Sequence, residues 1–290
     1  MQQLDFLRRY PVKIYYNHPS ISAFKSGGNI DCVVYPERVD SLEYCIKALN
    51  ERGQSFKLVG NCTNILIKDK GYKGIIISTK YITGSYVEED RLYAYSGEKL
   101  SKVFMLAKNN NLSGFERLKD IPGTIGGAVC MNAGAFSMEI MDIVEYIDVY
   151  EDEYKRIYKK DIEYSYRNTQ FKNSNTYILG VMFKLEKKDI FYIDYWAKKC
   201  EKERKQSQPN AISLGSVFKK CNGISAGEYI EKVGLKGYSH GGAQISSKHA
   251  NFIINKGNAK SRDFLYLSDL ILTQVDNKFN VSLEYEIEIL

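Results

Sequence analysis

Two short glycine-containing segments have the residue types of phosphate-binding loops. The first contains Gly27 and Gly28, and the second contains Gly60, Asn61, Cys62, Thr63 and Asn64. Glycine and small polar residues let backbone N–H groups approach a phosphate directly, although short Gly/Asn stretches are also common in ordinary turns. Neither segment has the spacing GxGxxG, and no GxxxxGK[ST] motif occurs, so neither a Rossmann site nor a P-loop is supported.

A third segment, residues 121–136, is rich in glycine and alanine and carries few charged residues. Its first part contains Ile121, Pro122, Gly123, Thr124, Gly126, Gly127 and Ala128. This composition is poor for both helix and strand. It indicates either a buried, turn-rich connection or a stretch of backbone that packs directly against a flat or extended ligand.

The fourth segment, residues 214–220, places Ser216 directly after Gly215. A serine beside a glycine is most often a turn residue. The pattern GxSxG is not matched, so the sequence does not indicate a nucleophilic serine.

Periodicity predicts the elements that must position these segments. A helix begins after Pro36 with Asp40 as its N-cap and ends before Gly53. A further helix is predicted from Leu100 to the polar residues 109–111, and others over residues 189–206, 226–233 and 262–275. Strands are predicted over residues 56–59, 65–67, 74–78, 91–95, 144–149, 177–185, 216–218, 243–245, 252–255 and 281–289. After residue 206 the order β-α-β-β-α-β indicates a compact α+β module.

The composition is that of a globular protein with two or three domains. The chain has 290 residues, of which 44% are hydrophobic and 26% charged, and its net charge is +6. This mild excess does not argue for nucleic acid, and no apolar run approaches the roughly 20 residues of a membrane span. Six cysteines without a CxxC pair predict neither a metal site nor a disulfide framework. Since the N-terminus lacks a signal peptide, we expect a soluble, cytoplasmic protein.

Taken together, the four segments resemble the UDP-N-acetylenolpyruvoylglucosamine reductase family, in its shorter type without an extra tyrosine-bearing loop. The resemblance begins near Ile21 and continues to the C-terminus. It is most specific over residues 114–136, in the sequence GSVFK around Ser216, and over residues 226–255.

The resemblance implies a fold, a cofactor and a reaction. An α+β fold would contain two FAD-binding subdomains of the vanillyl-alcohol-oxidase / p-cresol methylhydroxylase type, residues 1–80 and 81–188, and a C-terminal α+β substrate-binding domain, residues 189–290. The first three segments would line FAD. NADPH would be the co-substrate, and the nucleotide sugar UDP-N-acetylglucosamine enolpyruvate would be reduced to UDP-N-acetylmuramate for peptidoglycan synthesis. A monomer is expected.

The resemblance also assigns three catalytic residues. Arg167 would hold the substrate carboxylate and stabilise an enolate-like intermediate, Glu286 would support the same charge in its protonated form, and Ser216 would protonate C2. Without the resemblance, Arg167 would be interpreted as a surface ion pair. Glu286 would be one of three solvated glutamates on an alternating strand.

Candidate substrate-binding residues come from charge and from a shared motif. The basic residues that flank Ser216, namely Lys220, Arg204 and Lys205, are candidates for the substrate diphosphate, although charged helix faces are usually solvated. His249 and Asn251 match the HANF sequence of the family and either contact substrate or brace the domain.

Some residues depart from the family pattern. Glycines and serine are usual where this chain has Asn61, Cys62 and Thr63, and Asp120 replaces a usual glycine. Side chains facing the pyrophosphate would weaken FAD binding, since a carboxylate near phosphate is repelled. Two alternative functions remain: an FAD-dependent oxidoreductase acting on a different substrate, and a non-catalytic homologue that binds flavin or nucleotide.

Overall fold

Two compact units make up the protein, whose computed structural model describes residues 4–290. The first unit comprises the chain up to Tyr16 together with residues 32–61 and 74–202, and the second comprises residues 17–31, 62–73 and 203–290. Both units are therefore discontinuous in sequence. The predicted boundaries at residues 80 and 188 stay a prediction.

Two sheets dominate the first unit. The α-helices up to residue 207 are α1 (Val39–Asn50), α2 (Leu100–Asn109), α3 (Ile125–Cys130) and α4 (Ile190–Ser207). The strands up to residue 113 are β1 (Val12–His18), β2 (Ile30–Pro36), β3 (Phe56–Val59), β4 (Ile65–Leu66), β5 (Tyr72–Ser78), β6 (Ser85–Glu88), β7 (Arg91–Tyr95) and β8 (Leu112–Ser113). The strands from residue 134 to residue 187 are β9 (Gly134–Ala135), β10 (Met138–Glu139), β11 (Val144–Tyr150), β12 (Tyr154–Tyr158), β13 (Tyr164–Ser165), β14 (Asn168–Thr169), β15 (Tyr177–Lys184) and β16 (Glu186–Lys187). One sheet has the order β1-β2-β5-β3, and the other is antiparallel with the order β12-β11-β15-β7-β6.

Each sheet has its own apolar core. Leu42, Ile46 and Leu49 recur at helical spacing in α1 and are fully buried with Val34 and Ile77 of the four-stranded sheet. The five-stranded sheet shares a second core with α2 and α3. A side chain buried in this way contributes about 1.5–3 kcal/mol to the free energy of unfolding, so these cores stabilise the two sheets from which the loops extend.

The second unit is a four-stranded sheet with two helices. Its elements after residue 207 are β17 (Ser213–Ser216), α5 (Ala226–Lys232), β18 (Ser239–His240), β19 (Ala243–Ile245), β20 (Phe252–Asn255), α6 (Ser261–Phe279) and β21 (Glu288–Ile289). The sheet order is β17-β20-β19-β18, and β21 pairs in parallel with β4. Phe24, from an earlier part of the chain, completes this core by an edge-on contact with Phe264 at 5.1 Å.

Three local predictions were wrong. The N-cap of α1 is Arg38, and Asp40 lies in the first helical turn, where a carboxylate is also favoured by the helix dipole. The predicted strand over residues 281–289 is regular only at Glu288–Ile289, because the preceding chain forms only an isolated bridge from Tyr285 to Phe218. The predicted strand over residues 216–218 lies at Ser213–Ser216 instead.

The glycine-rich segment 121–136 is more regular than its composition indicates. It contains the short helix α3 and β9, the first strand of the hairpin that β9 forms with β10. Phe136 and Ser137, at the hairpin tip, both have positive φ angles. No helix within residues 4–290 is long and apolar enough to cross a membrane.

Candidate functional site

The glycine-rich loop of residues 121–128 is fixed against two other parts of the first unit. Gly60, which follows β3, approaches Thr124 so closely that a Cβ on Gly60 would lie 2.3 Å from Thr124 Oγ1. Gly126 donates its N–H to the carbonyl oxygen of Ser96 at 2.8 Å, and a Cβ there would lie 2.9 Å from Ser96 Cβ. The helix α3 therefore contains glycine at position 126 because the backbone packs directly against the end of β7.

Gly127 has a different environment from its neighbour. It is exposed and has no left-handed φ, and apart from its own helix backbone and chain neighbours only Thr124 Oγ1, at 3.5 Å, lies within 4 Å of its Cβ position among residues 4–290. Alanine is normally preferred over glycine at such a helical position. The chain's own packing therefore gives no reason for this glycine, whereas a flat group bound against the backbone would.

Gly27 and Gly28 belong to the second unit and pack against a different loop. A Cβ on Gly27 would lie 2.3 Å from the carbonyl oxygen of Ile67, and one on Gly28 would lie 2.3 Å from that of Asp69. Gly28 also donates its N–H to the carbonyl oxygen of Lys68 at 2.9 Å. Close backbone packing thus explains both glycines, and their predicted contact with FAD stays a prediction.

The residues that depart from the family pattern are accommodated within the fold. Cys62 has a φ of +49° and is buried, and burial raises the pKa of its thiol to about 12, with Glu288 adding to the shift. The Asp120 carboxylate accepts hydrogen bonds from Lys119 Nζ at 2.8 and 2.9 Å. The Cys62 thiol is therefore neutral at pH 7, and Lys119 compensates the charge of Asp120.

Ser216 and Glu286 lie on neighbouring, hydrogen-bonded segments of the second unit. The backbone N–H of Glu286 donates to the carbonyl oxygen of Val217 at 2.8 Å. Asn64 Nδ2 donates to the carbonyl oxygen of Glu286 at 2.9 Å, so this predicted loop residue braces the same segment. Ser216 is half-buried, and no hydrogen bond engages its Oγ among residues 4–290. The structure thus joins, through the backbone, two segments whose candidate catalytic residues are 70 positions apart in the sequence.

Asn251 holds the backbone that directly follows Ser216. Its Nδ2 donates to the carbonyl oxygen of Phe218 at 2.8 Å, and its Oδ1 accepts from the N–H of Phe218 at 3.0 Å. His249 Nδ1 in turn accepts the backbone N–H of Asn251 at 3.3 Å. This geometry supports the bracing role for both residues, and direct contact of either with substrate stays a prediction.

The bracing role of His249 predicts a pH-dependent stability. Burial lowers the pKa of His249 below its ordinary value, with Lys236 adding to and Glu231 opposing the shift. In the unfolded state, His249 is therefore protonated near pH 6.5, whereas in the folded state it is protonated only at a lower pH. Its contribution to the free energy of unfolding is complete above pH 6.5 and decreases as the pH falls below that value. We expect His249→Asn, which keeps a hydrogen-bond acceptor, to flatten this dependence by up to about 1.4 kcal/mol per pH unit.

Urea unfolding of both proteins at pH 7.5, 6.5 and 5.5 measures this effect. An unchanged slope between pH 6.5 and 5.5 in His249→Asn would show that other groups carry the dependence.

Arg167 lies at the tip of the tight hairpin between β13 and β14, with a φ of +56°. Its guanidinium Nη2 donates to the carbonyl oxygen of Gly134 at 2.8 Å, and its Nη1 donates to that of Asn132 at 3.3 Å. Thr169 Oγ1 anchors the hairpin to the last residue of α3 by donating to the carbonyl oxygen of Cys130 at 2.9 Å. The arginine is thus a fixed cation beside the glycine-rich segment and not a mobile surface charge.

The basic candidates for the diphosphate differ in their exposure to solvent. Lys220 and Lys205 are exposed, and Arg204 is half-buried near the end of α4. The carbonyl oxygen of Lys205 accepts a hydrogen bond from Lys248 Nζ. Their role in substrate binding stays a prediction.

Sequence reasoning missed the residues that surround Arg167. Asn132 is fully buried, and Glu139 Oε1 lies 3.8 Å from Arg167 Nη1. The one available signal was an asparagine inside a glycine- and alanine-rich stretch, since asparagine tolerates the left-handed backbone that occurs here at φ +42°.

Comparison with known proteins covers nearly the whole chain. Residues 30–153 match the FAD binding domain family, and residues 208–290 match the C-terminal domain of UDP-N-acetylenolpyruvoylglucosamine reductase. The reductase of that name from Caldicellulosiruptor saccharolyticus is 38% identical over 98% of this chain and 92% of its own length. The one from Thermosipho melanesiensis is 41% identical over 92% of this chain and 91% of its own length.

A solved structure agrees with these matches. The crystal structure of UDP-N-acetylenolpyruvylglucosamine reductase from Thermus caldophilus has a TM-score of 0.82 and 28% sequence identity, covering 96% of this chain and 98% of that chain. The predicted fold class, an FAD-binding α+β fold followed by a C-terminal α+β domain, is confirmed. This chain belongs to the UDP-N-acetylenolpyruvoylglucosamine reductase family.

Proposed function

We propose that this protein reduces UDP-N-acetylglucosamine enolpyruvate to UDP-N-acetylmuramate, with NADPH as the hydride donor. The observation that carries the proposal is the hydrogen bond between Glu286 N–H and the Val217 carbonyl oxygen at 2.8 Å, which joins the segments that carry Ser216 and Glu286. Reduction of a vinyl ether requires a proton donor and stabilisation of developing negative charge. A serine hydroxyl and a carboxyl group on these two joined segments can provide both.

The glycine-rich loop fits a flavin. Gly60 and Gly126 bring three backbone segments together, and exposed Gly127 leaves the space that a flat ring or a phosphate needs against the backbone. When bound there, FAD would accept a hydride from NADPH and pass it to C3 of the enolpyruvyl group. Gly60, Asn61, Thr124, Gly126 and Gly127 are the residues of the first unit that we propose hold it.

Three side chains of this chain then act on the substrate. Arg167 holds the carboxylate, so negative charge that develops at C2 and spreads into that carboxylate is stabilised by a fixed guanidinium. Ser216 transfers its hydroxyl proton to C2. Glu286, in its protonated form, donates a hydrogen bond to the same developing charge.

Two adjacent glycines give a matched test of the proposed flavin loop. Gly126→Ala forces a Cβ to within 2.9 Å of Ser96 Cβ and should destabilise the fold by about 1–3 kcal/mol. Gly127→Ala should leave the stability of the flavin-free protein unchanged or raise it by up to about 1 kcal/mol, but weaken FAD binding at least 10-fold. Urea unfolding of flavin-free protein and titration with FAD measure the two effects. Unchanged FAD affinity in Gly127→Ala would place the flavin elsewhere.

Anaerobic stopped-flow absorbance tests the proposed reaction as a whole. The purified, FAD-loaded protein is reduced with NADPH, and the enolpyruvyl nucleotide is then added while the flavin absorbance is followed. We expect both half-reactions to be fast. A flavin that NADPH reduces but the nucleotide leaves reduced would favour an oxidoreductase with a different substrate, and failure of NADPH to reduce bound flavin would favour a non-catalytic homologue.

We also propose that the protein works as a cytoplasmic monomer in cell-wall biogenesis, and thereby in cell shape and division. NADPH and nucleotide sugars are small molecules of the cell interior, which supports this location. Light scattering during size-exclusion chromatography should give the mass of one chain. A stable dimer would contradict the proposed monomer without affecting the proposed reaction.

A further inference from the structure

Asn132 connects the two sides of the Arg167 environment. Its Nδ2 donates to the carbonyl oxygen of Ser165 at 3.0 Å and to Glu139 Oε2 at 2.7 Å, and its Oδ1 accepts the N–H of Met141 at 3.4 Å. Ser165 lies two residues before Arg167 in the same hairpin. The single buried amide therefore ties the arginine hairpin to the hairpin of β9 and β10.

The backbone of Asn132 also contacts the guanidinium itself. Its carbonyl oxygen accepts from Arg167 Nη1, and the carbonyl oxygen of Gly134, two residues later, accepts from Arg167 Nη2. These two carbonyl groups face the guanidinium only while the backbone of residues 132–134 keeps its conformation. That backbone begins with a φ of +42° at Asn132 and is held by the Asn132 side chain. Movement of this segment would move the acceptors and the guanidinium together.

Glu139 is the third member of the group. One carboxylate oxygen accepts from Asn132 Nδ2, and the other lies 3.8 Å from Arg167 Nη1. The amide of Asn132 thereby fixes the carboxylate that faces the arginine. A network of side chains that hydrogen-bond to each other in this way restricts the position of the Arg167 guanidinium more than any single contact does.

We propose that Asn132 is a positioning residue, which fixes the Arg167 guanidinium for the carboxylate of the enolpyruvyl substrate. The inference rests on the proposed role of Arg167. Asn132 itself contacts no substrate, because it is fully buried. Since a displacement of about 1 Å at a reacting group can reduce a rate about 100-fold, loss of the amide should act specifically on the step that needs the carboxylate held.

The test uses Asn132→Gly, because glycine keeps the positive φ while removing all three side-chain hydrogen bonds. Asn111→Gly is the matched control, since Asn111 is an exposed asparagine of the same unit with a φ of +57°. Binding of UDP-N-acetylglucosamine enolpyruvate and of UDP-N-acetylglucosamine, which lacks the carboxylate, is measured by calorimetry on the FAD-loaded proteins. Both half-reactions are measured by stopped-flow.

For Asn132→Gly we expect at least 10-fold weaker binding of the enolpyruvyl nucleotide, with binding of UDP-N-acetylglucosamine changed less than twofold. Reoxidation of reduced enzyme by the enolpyruvyl nucleotide should slow about 100-fold while reduction by NADPH stays within threefold of wild type. Equal weakening of both ligands would overturn the proposal, because general damage to the fold would explain it. Asn111→Gly should match wild type throughout.

A second pair of variants tests whether the effect passes through Arg167. In an Arg167→Ala background, Asn132→Gly should change binding of the enolpyruvyl nucleotide less than twofold. An undiminished effect in that background would overturn the positioning role while leaving the proposed function intact. If Arg167→Ala alone left substrate binding and reoxidation unchanged, the proposed role of Arg167 would fail, and the two failures are thus distinguishable.

An exchange of donor and acceptor between residues 132 and 139 tests whether the slower reoxidation results from loss of this hydrogen bond or from misfolding. Asn132→Asp places a carboxylate against that of Glu139 and should slow reoxidation more than 100-fold. Adding Glu139→Gln restores a donor and acceptor pair and should recover at least 10-fold of that loss. A double variant no faster than Asn132→Asp alone would contradict the importance of this hydrogen bond.

Discussion

Ser216→Ala should retain reduction of the flavin by NADPH and slow its reoxidation by the enolpyruvyl nucleotide by about 10²–10⁴-fold, the usual contribution of a positioned acid. The backbone segment that carries Ser216 is braced, because Asn251 holds the backbone of Phe218 through both ends of its amide. Removing one oxygen atom leaves that brace intact. The effect should therefore fall on proton transfer and not on the fold, and stopped-flow absorbance separates the two half-reactions.

Ser282→Ala is a suitable control, since Ser282 is exposed in the same unit. It should match wild type in both half-reactions. A Ser216→Ala protein that is reoxidised within threefold of the wild-type rate would exclude Ser216 as the proton donor. Equal slowing of both half-reactions would indicate damage to flavin binding instead.

Arg167→Lys should slow reoxidation by the enolpyruvyl nucleotide by about 10²–10³-fold, although it conserves the charge. The guanidinium is anchored by two nitrogen atoms to the carbonyl oxygens of Asn132 and Gly134. A lysine ammonium is a single point of charge and cannot satisfy both carbonyl groups while it also faces a carboxylate in plane. Weaker binding of the enolpyruvyl nucleotide should accompany the slower rate.

The matched control is Arg91→Lys, because Arg91 forms an exposed ion pair with Glu145 at 2.8 Å in the same unit. Such a pair contributes about 0–1 kcal/mol, and the variant should behave as wild type. If Arg167→Lys had full activity, charge alone would suffice at this position and the planar geometry would be irrelevant.

Elements with a strong local pattern were predictable from the sequence. The strands Phe56–Val59, Arg91–Tyr95 and Phe252–Asn255 have the predicted bounds, and α2 begins at the predicted Leu100. In each case the side chains that define the pattern are those that pack in the core. Where close contact between distant segments decides the conformation, as in α3 at Ser96, local pattern was not sufficient.

The grouping of the candidate site was not predictable from local pattern at all. Asn64 and Glu286 are joined by a hydrogen bond between residues 222 positions apart, and nothing in either segment alone indicates the other. The types of residue were informative, since resemblance to a family selected Ser216, Arg167 and Glu286. The role of Asn132 became visible only when its three hydrogen bonds were known.

The path of the chain through the two units has a consequence for biosynthesis. Residues 17–31 and 62–73 leave the ribosome early, but their partners in residues 203–290 are translated only after residues 74–202. Phe24 therefore cannot make its contact with Phe264 until Phe264 has been synthesised. A nascent chain with such exposed apolar side chains is of the kind that chaperones bind. A gene fragment encoding residues 203–290 alone would yield a product whose core lacks Phe24.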